Sequence, residues 1–447
     1  MDTPICDFVK RYNQQNTVRL HMPGHKGKCI LGFEQNDITE ISGADNLYQS
    51  EGIIAQSERN ASSLFGCQTY YSTEGSSLCI RAMMYLAMLY AKEQNKELLV
   101  YSGRNTHKSF ISACALLDFD FEWITPQKDC DPFYSSSINA EKLDNDLLKN
   151  PNKIKVVYIT SPDYLGNVSD IKTISKICKK HGALLFVDNA HGAYLKFLNP
   201  SQHPIDLGAD LCCDSAHKTL PVLTGGAYFH VCNNAPSFFK KYAKNALSLF
   251  GSTSPSYLIL QSLDTANRYI SQDYPKMLFE CCCRLSGLCN DLRNKGYVLT
   301  SNEPLKITIK TKEYGYLGNT FADILRKNNV ECEFSDPDTV VLMFTPQTFE
   351  NEIELLKKIL LSIPQKTPIN STRPFLLSST KKLSVREAVF SPCERLSVSE
   401  CIGKISAETN NMCPPAVPIT IPGEIINESA VNCFHYYGVK TCLVVKN

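Results

Sequence analysis

No segment of this 447-residue sequence is long and apolar enough to cross a bilayer, and its most apolar helical stretch, Ile80 to Tyr90, contains Arg81. That stretch is expected inside a folded domain. The first thirty residues also lack the continuous apolar core of a secretory signal, because Asp2, Asp7, Lys10, Arg11, Arg19 and His21 are spread through them. An excess of one charge is missing too. With 46 Lys+Arg, 45 Asp+Glu and a formal net charge of +1, the whole chain gives no reason to expect nucleic acid or an acidic membrane surface as a partner. There is no CxxC pair followed by a second one, and the nine histidines are dispersed, so no metal site is expected.

Cysteine, by contrast, is abundant, with twenty residues. Disulfide-dense chains are usually small and signal-bearing. Here Cys212-Cys213 sits beside apolar residues, and Cys29, Cys67, Cys79, Cys114 and Cys178 stand alone. Reduced cysteines that mainly pack, in a cytoplasmic protein, are the expectation. The length allows a large domain with a smaller companion.

Residues 1–43 read as an N-terminal arm: a short helix, then the fixed loop HMPGHKGK. From Cys67 the pattern alternates β/α. A helix is predicted from Ser76 to Tyr90, a strand over 97–103, a helix starting near His107 to Ser109, and a strand in LLDFDFEWI, 116–124. IKVVYITSP, 154–162, is the clearest buried strand. A helix follows, with Ser169 or Asp170 as cap, Ile171, Ile174, Ile177 and Cys178 on one face, and Gly182 as stop. ALLFVD is the next strand, and residues 209–214 and 226–231 supply two more, before a helical region between about Ser254 and Lys295. This succession predicts an α/β large domain, 44–295, with a mostly parallel sheet and flanking helices, followed by a smaller α+β domain, 296–447. In the latter, KITIKT and VVLMFTP are strand candidates, and PPAVPITIPGE, 414–424, is too apolar for a disordered linker.

Asp188 ends ALLFVD, and Lys218 follows in DSAHKTLP. Ligands of open α/β sheets bind beyond the carboxyl ends of the strands, so both residues can face one crevice. An Asp can pair with a protonated pyridine nitrogen, and a Lys amine can condense with an aldehyde. Taken singly, neither is specific, since a strand-ending Asp is often a cap and most lysines are solvated.

The segments RLHMPGHKG, TYYSTEGSS, GRNTHKSF, TSPDYLGN, VDNAHGAY and DSAHKTLP, with SVREAVFSP, GKISAE and PPAVPITIPGE further on, resemble the ornithine, lysine and arginine decarboxylase family in identity and order. The arm is short, resembling the compact bacterial branch. The resemblance implies an aminotransferase-type fold, pyridoxal 5'-phosphate as cofactor, a basic amino-acid substrate, and a homodimer or assembly of dimers with active sites near subunit boundaries. It implies Lys218 as the lysine that carries the cofactor, Asp188 on the pyridine nitrogen, His107 stacked over the ring and Ala190 against its other face.

For the phosphate it implies Gly75, Ser76, Ser77 and Ser215, although Ser76 and Ser77 judged in isolation read equally well as ordinary helix caps. His217 is expected as a phosphate or acid–base contact, and His191 as a residue that positions cofactor or substrate carboxylate. Either histidine can instead be a packed residue. Asp163 and Glu424 are candidates for a substrate pocket, with a turn-organising Asp163 and a capping Glu424 as the alternatives. Two departures from the family pattern stand out. Asn189 replaces the acidic residue that commonly follows the ring-binding Asp, and Asp214 stands where a neutral polar residue is common. They leave open another pyridoxal-phosphate lyase, an aminotransferase or an inactive regulatory homologue.

Overall fold

Val156, Val157, Tyr158 and Ile159 are buried side by side, without the inside–outside alternation of a half-solvated strand. Burial on both faces is what the centre of an α/β sheet demands. The computed structural model, which describes residues 1–124, 137–410 and 417–446, places this run in β4, Ile154–Thr160. The other strands of its sheet are β1 (Gln68–Ser72), β2 (Leu98–Ser102), β3 (Phe121–Trp123), β5 (Leu184–Asp188), β6 (Leu211–Asp214) and β7 (Ala227–Val231). Their order is β1-β7-β6-β5-β4-β2-β3. β5 and β6 pair in parallel, as do β2 and β3, whereas β7 runs antiparallel to both β6 and β1. The result is the expected mostly parallel sheet with flanking helices.

The chain divides into two compact units: Met1–Leu98 with Asn150–Tyr158 and Ile171–Met277, and Leu99–Lys149 with Ile159–Asp170 and Leu278–Asn447. In the first, α1 (Pro4–Gln14) and α2 (Ile53–Phe65) precede β1, and α3 (Gly75–Glu93) follows it. Leu78, Cys79, Ile80, Met83, Met84 and Leu86 bury the body of α3. The helix Ile171–Lys180 buries Ile171, Ile174 and Cys178, and Gly182 stands beyond its end in the left-handed region at φ 61°. The helical region after residue 254 is two helices, Tyr257–Ile270 and Tyr274–Asn294, the first capped by Ser256.

In the second unit the apolar run at 116–124 is divided. Leu116 and Leu117 close α4 (Lys108–Leu117), Asp118 turns the chain at φ 56°, and only Phe121–Trp123 is strand. An apolar pair serves either element, and the helix claims this one first. KITIKT and VVLMFTP form β8 (Lys306–Lys310) and β10 (Thr339–Met343), with β9 (Phe334–Ser335) completing a three-stranded antiparallel sheet. β11 (Cys393–Ser397) pairs with β12 (Thr441–Val445) beside a core that includes Val398, Ile419, Ile426 and Phe434. Pro414, Pro415 and Ala416 of PPAVPITIPGE lie outside the described residues. Its remainder is buried, and Arg104 donates to the carbonyls of Pro418 and Ile419 at 2.7 Å each.

All eighteen described cysteines are free thiols. Among the described residues no helix is long and apolar enough to cross a membrane.

The N-terminal helix is tied down by one distant carboxylate. Asp264 accepts the backbone N–H groups of Ile5 and Cys6 at 2.9 and 3.1 Å, so donors that an α-helix leaves unpaired find a partner. Burial raises Asp264 from 3.8 to about 6, against the donors from Ser57, Cys6 and Ile5. A carboxyl raised by folding favours the protonated folded state. That contribution is full below about pH 4 and is lost as pH rises through about 6. Asp264→Asn is therefore expected to flatten the decline of Tm between about pH 4 and 7, measured by calorimetry; a slope equal to that of the parent would contradict the assignment.

Candidate active site

β5 and β6 run in parallel and end together, with Asp188 opposite Cys213. Asp188 is buried and receives Ala190 N–H at 3.2 Å, Tyr158 O–H at 3.4 Å and the Cys213 thiol at 3.8 Å. Burial pushes its pKa up, opposed by the charge of Lys218 and by these donors. The carboxylate is thus left short of positive charge, a setting suited to a cationic partner such as a protonated ring nitrogen.

The chain leaves β6 at Asp214 and coils into a four-residue helix, Ala216–Thr219, that carries Lys218. The Lys218 Nζ lies 3.0 Å from His191 Nε2. An ammonium has no acceptor, so when Lys218 is protonated His191 accepts at Nε2 and holds its own proton on Nδ1. His191 is almost fully buried, and Ala190 beside it is buried as well.

His217 Nδ1 is 2.9 Å from the Gly226 carbonyl, which can only accept. The ring proton therefore sits on Nδ1 and leaves Nε2 as a bare lone pair in the neutral form. Burial lowers the His217 pKa, with the Lys218 charge adding to the effect and the Gly226 bond opposing it. A neutral ring with a free lone pair suits proton acceptance better than phosphate donation.

The start of α3 lies beside this turn. Ser215 Oγ donates to Ser76 Oγ at 2.8 Å, Gly75 N–H donates to Gly225 O at 2.7 Å, and His217 N–H donates to Gly226 O at 3.1 Å. Gly75, at φ 67°, has a backbone that a side chain would strain. The cap position belongs to Glu74, which makes no side-chain cap, so Ser76 and Ser77 are the second and third helical residues rather than caps. A 19-residue helix whose N-cap residue makes no side-chain cap, with serine hydroxyls at its opening, presents a dipole suited to an anion. Together with the amine of Lys218 and the carboxylate of Asp188, this donor set fits pyridoxal phosphate.

His107 belongs to the other compact unit. It caps α4: its Nδ1 accepts Ser109 N–H at 3.1 Å and lies 2.8 Å from Ser109 Oγ. Asp163 organises its turn by accepting the N–H groups of Leu165 and Asn167, both at 2.9 Å. Glu424 is buried and accepts Ile421 N–H at 2.9 Å; burial raises its pKa while the Arg104 charge opposes the rise. The turn and capping readings of these two carboxylates are the ones their hydrogen bonds match.

Sequence reasoning missed the surroundings of Asp214. Its Oδ1 accepts Asn189 Nδ2 at 2.7 Å, and its Oδ2 accepts Nε2 of His203 at 3.0 Å and of His230 at 3.1 Å. All four side chains are buried. Burial opposes ionisation of Asp214, but the two imidazoles overcome it and hold the carboxyl well below the usual range. His230 is raised correspondingly, burial being outweighed by the Asp214 carboxylate. The ligand atoms of His203, Asp214 and His230 lie within 4.8 Å of one another, so two of the dispersed histidines do meet.

The fold and this arrangement define an aminotransferase-like α/β protein with a half-buried lysine beyond the strand ends. Residues 3–295 match the family model described as Orn/Lys/Arg decarboxylase, major domain, and residues 376–441 match the C-terminal domain of the same family. The chain belongs to the Orn/Lys/Arg decarboxylase family. An arginine decarboxylase of Bacillus subtilis is 27% identical over 463 residues, covering 96% of this chain and 92% of the relative. One from Halalkalibacterium halodurans is 27% identical over 461 residues, covering 96% and 91%. Lysine decarboxylase A from Pseudomonas aeruginosa superposes with a TM-score of 0.79 at 16% identity, over 99% of this chain and 80% of that one. The constitutive lysine decarboxylase of E. coli gives 0.75 at 15%, over 100% and 82%. These two structures bear on the fold alone.

The geometry at His217 makes a direct prediction. With imidazole-labelled histidine, NMR of the cofactor-free protein is expected to show the His217 proton on Nδ1 and titration below the ordinary 6.5. A proton on Nε2, or a midpoint above that value, would contradict the arrangement.

Proposed function

We propose that this chain decarboxylates a basic L-amino acid with pyridoxal 5'-phosphate carried on Lys218, and that arginine is the first substrate to test. The observation that carries the reading is the placement of the Lys218 turn, Asp188 and the opening of α3 around one strand end in a member of this family. The arginine preference is supported by the relatives named arginine decarboxylase, which align over nearly the whole chain. When bound, pyridoxal phosphate supplies an electrophilic aldehyde and a ring able to accept the electron pair released as carbon dioxide leaves.

The chain's own residues do the rest. Asp188, buried and short of positive charge, holds a proton on the ring nitrogen. Gly75, Ser76, Ser77 and Ser215 bind the phosphate, with the α3 dipole behind them. His191 orients the Lys218 amine through its Nε2 and excludes water from that side. His217 Nε2 is placed to take up a proton near the lysine. His107 and Ala190 are assigned to the two faces of the ring, and Asp163 and Glu424 shape loops rather than contact substrate.

A homodimer, or an assembly of dimers, is part of the same proposal, as is a division into an arm (1–43), a large domain (44–295) and a small domain (296–447). The end of the major-domain match supports the boundary at 295. A reducing, cytoplasmic setting suits the eighteen free thiols among the described residues, many of them buried.

The test is purified protein loaded with pyridoxal phosphate and given arginine, lysine and ornithine, with product mass spectrometry and carbon dioxide release measured together. The expected outcome is agmatine or the matching diamine, with carbon dioxide in equal amount. Lys218→Ala should lower turnover by about a thousandfold or more, as loss of a covalent catalytic group does. An aldehyde or keto-acid product, or no product from loaded protein, would remove decarboxylation from the account.

A further inference from the structure

Asp214 and Asn189 depart from the family pattern separately in the sequence but touch in the fold. Asn189 Nδ2 donates to Asp214 Oδ1 at 2.7 Å, with both side chains fully buried. Asn189 also carries the backbone between Asp188 and Ala190. Its N–H donates to Cys213 O at 2.9 Å, and its carbonyl accepts Gly192 N–H at 2.7 Å. The side-chain carbonyl of Asn189 is buried with no hydrogen-bond partner among the described residues, so Asp214 provides the amide's polar anchor. Space is tight on the other side: a Cβ at Gly192 would come within 2.0 Å of Asn189 Oδ1.

Asp214 is itself held from behind. His203 Nδ1 faces Ile205 N–H at 3.4 Å, which leaves the ring proton on Nε2, directed at Asp214 Oδ2. His230 presents its Nε2 to the same oxygen and has Thr69 Oγ1 2.9 Å from its Nδ1. The Cys212 thiol donates to Oδ1 at 3.7 Å. The carboxylate's lone pairs are thus engaged by N–H and S–H donors, which is the signature of a hydrogen-bonded clamp. A metal ion would have to displace those protons.

We propose that Asp214 is a positioning residue for the cofactor site. Clamped by His203 and His230, it fixes Asn189 and, through it, the strand end that presents Asp188 and Ala190. The pair holds one buried carboxylate, at the end of β6 beside the imidazoles of His203 and His230, rather than directly after Asp188. The inference rests on the proposed binding of pyridoxal phosphate at Lys218 and Asp188.

The test compares Asn189→Ala, Asp214→Asn and the exchange Asn189→Asp with Asp214→Asn. Three readouts are used: pyridoxal-phosphate affinity by equilibrium dialysis, the pH midpoint of the absorbance band of the lysine-bound cofactor, and Tm of the cofactor-free protein. Both single variants are expected to weaken cofactor binding about tenfold and to move the band midpoint by about half a pH unit or more. The exchange is expected to recover most of both, because the amide moved to position 214 then donates to the carboxylate moved to position 189 while still accepting from the two histidines.

Should Asp214→Asn fail to fold, Asn189→Ala still decides the matter, since it leaves the carboxylate and both imidazoles in place. Single variants that lower Tm but leave affinity and midpoint at parental values would show a merely structural role and overturn the proposal. So would an exchange no better than the worse single variant, or a stoichiometric metal ion found by elemental analysis. A parent protein that holds no cofactor on Lys218 would take down the functional reading and this inference together; a parent that holds it normally confines any failure to Asp214.

Discussion

Parallel pairing of β5 with β6 is the constraint from which the site follows. It brings two carboxylates, Asp188 and Asp214, to the same end of neighbouring interior strands, both out of reach of water. Two buried like charges so close are unfavourable unless each finds compensation. The fold compensates them differently. Asp214 is surrounded by imidazole and amide donors and sits well below the ordinary carboxyl range. Asp188 is pushed the other way by burial, with the Lys218 charge opposing. One carboxylate is thus satisfied internally, while the other retains capacity for a cationic partner.

The remaining parts are arranged by short-range necessity. The turn after β6 must reverse the chain within a few residues, and its four-residue helix sets Lys218 against His191 and His217 against the Gly226 carbonyl. The N-cap residue of α3, Glu74, makes no side-chain cap, and the Ser76–Ser215 bond draws the helix start to the lysine turn. An amine, a carboxylate, an anion-ready helix start and a neutral imidazole then share one small region. The second unit is organised around its own polar links. Arg104 binds the carbonyls of the 418–419 segment, and Asp163 and Glu424 are engaged by turns.

How far the sequence could be read depended on whether the determining contact was local. β4 was legible because a continuous β-branched and aromatic run has few other homes, and the helix Ile171–Lys180 because its apolar stripe ends at a glycine. The Leu116-Leu117 pair misled because apolar residues alone do not choose between a helix end and a strand start. Lys218 and Asp188 stood out through their flanking motifs. Tyr158, by contrast, was hidden in a strand pattern that accounts for its ring and not for its hydroxyl. His203 and His230 could not be found, because they meet Asp214 only after strands and loops have folded back across 11 and 16 positions. Asn189 and Asp214 were visible as oddities; that they form one contact across 25 positions was not.

Borohydride reduction of the pyridoxal-phosphate-loaded protein, followed by peptide mass spectrometry, tests whether Lys218 carries the cofactor. A reduced pyridoxal-phosphate adduct is expected in near-unit stoichiometry on Lys218, within the segment DSAHKTLP. An adduct on another lysine, or none on protein that has taken up the cofactor, would contradict that expectation.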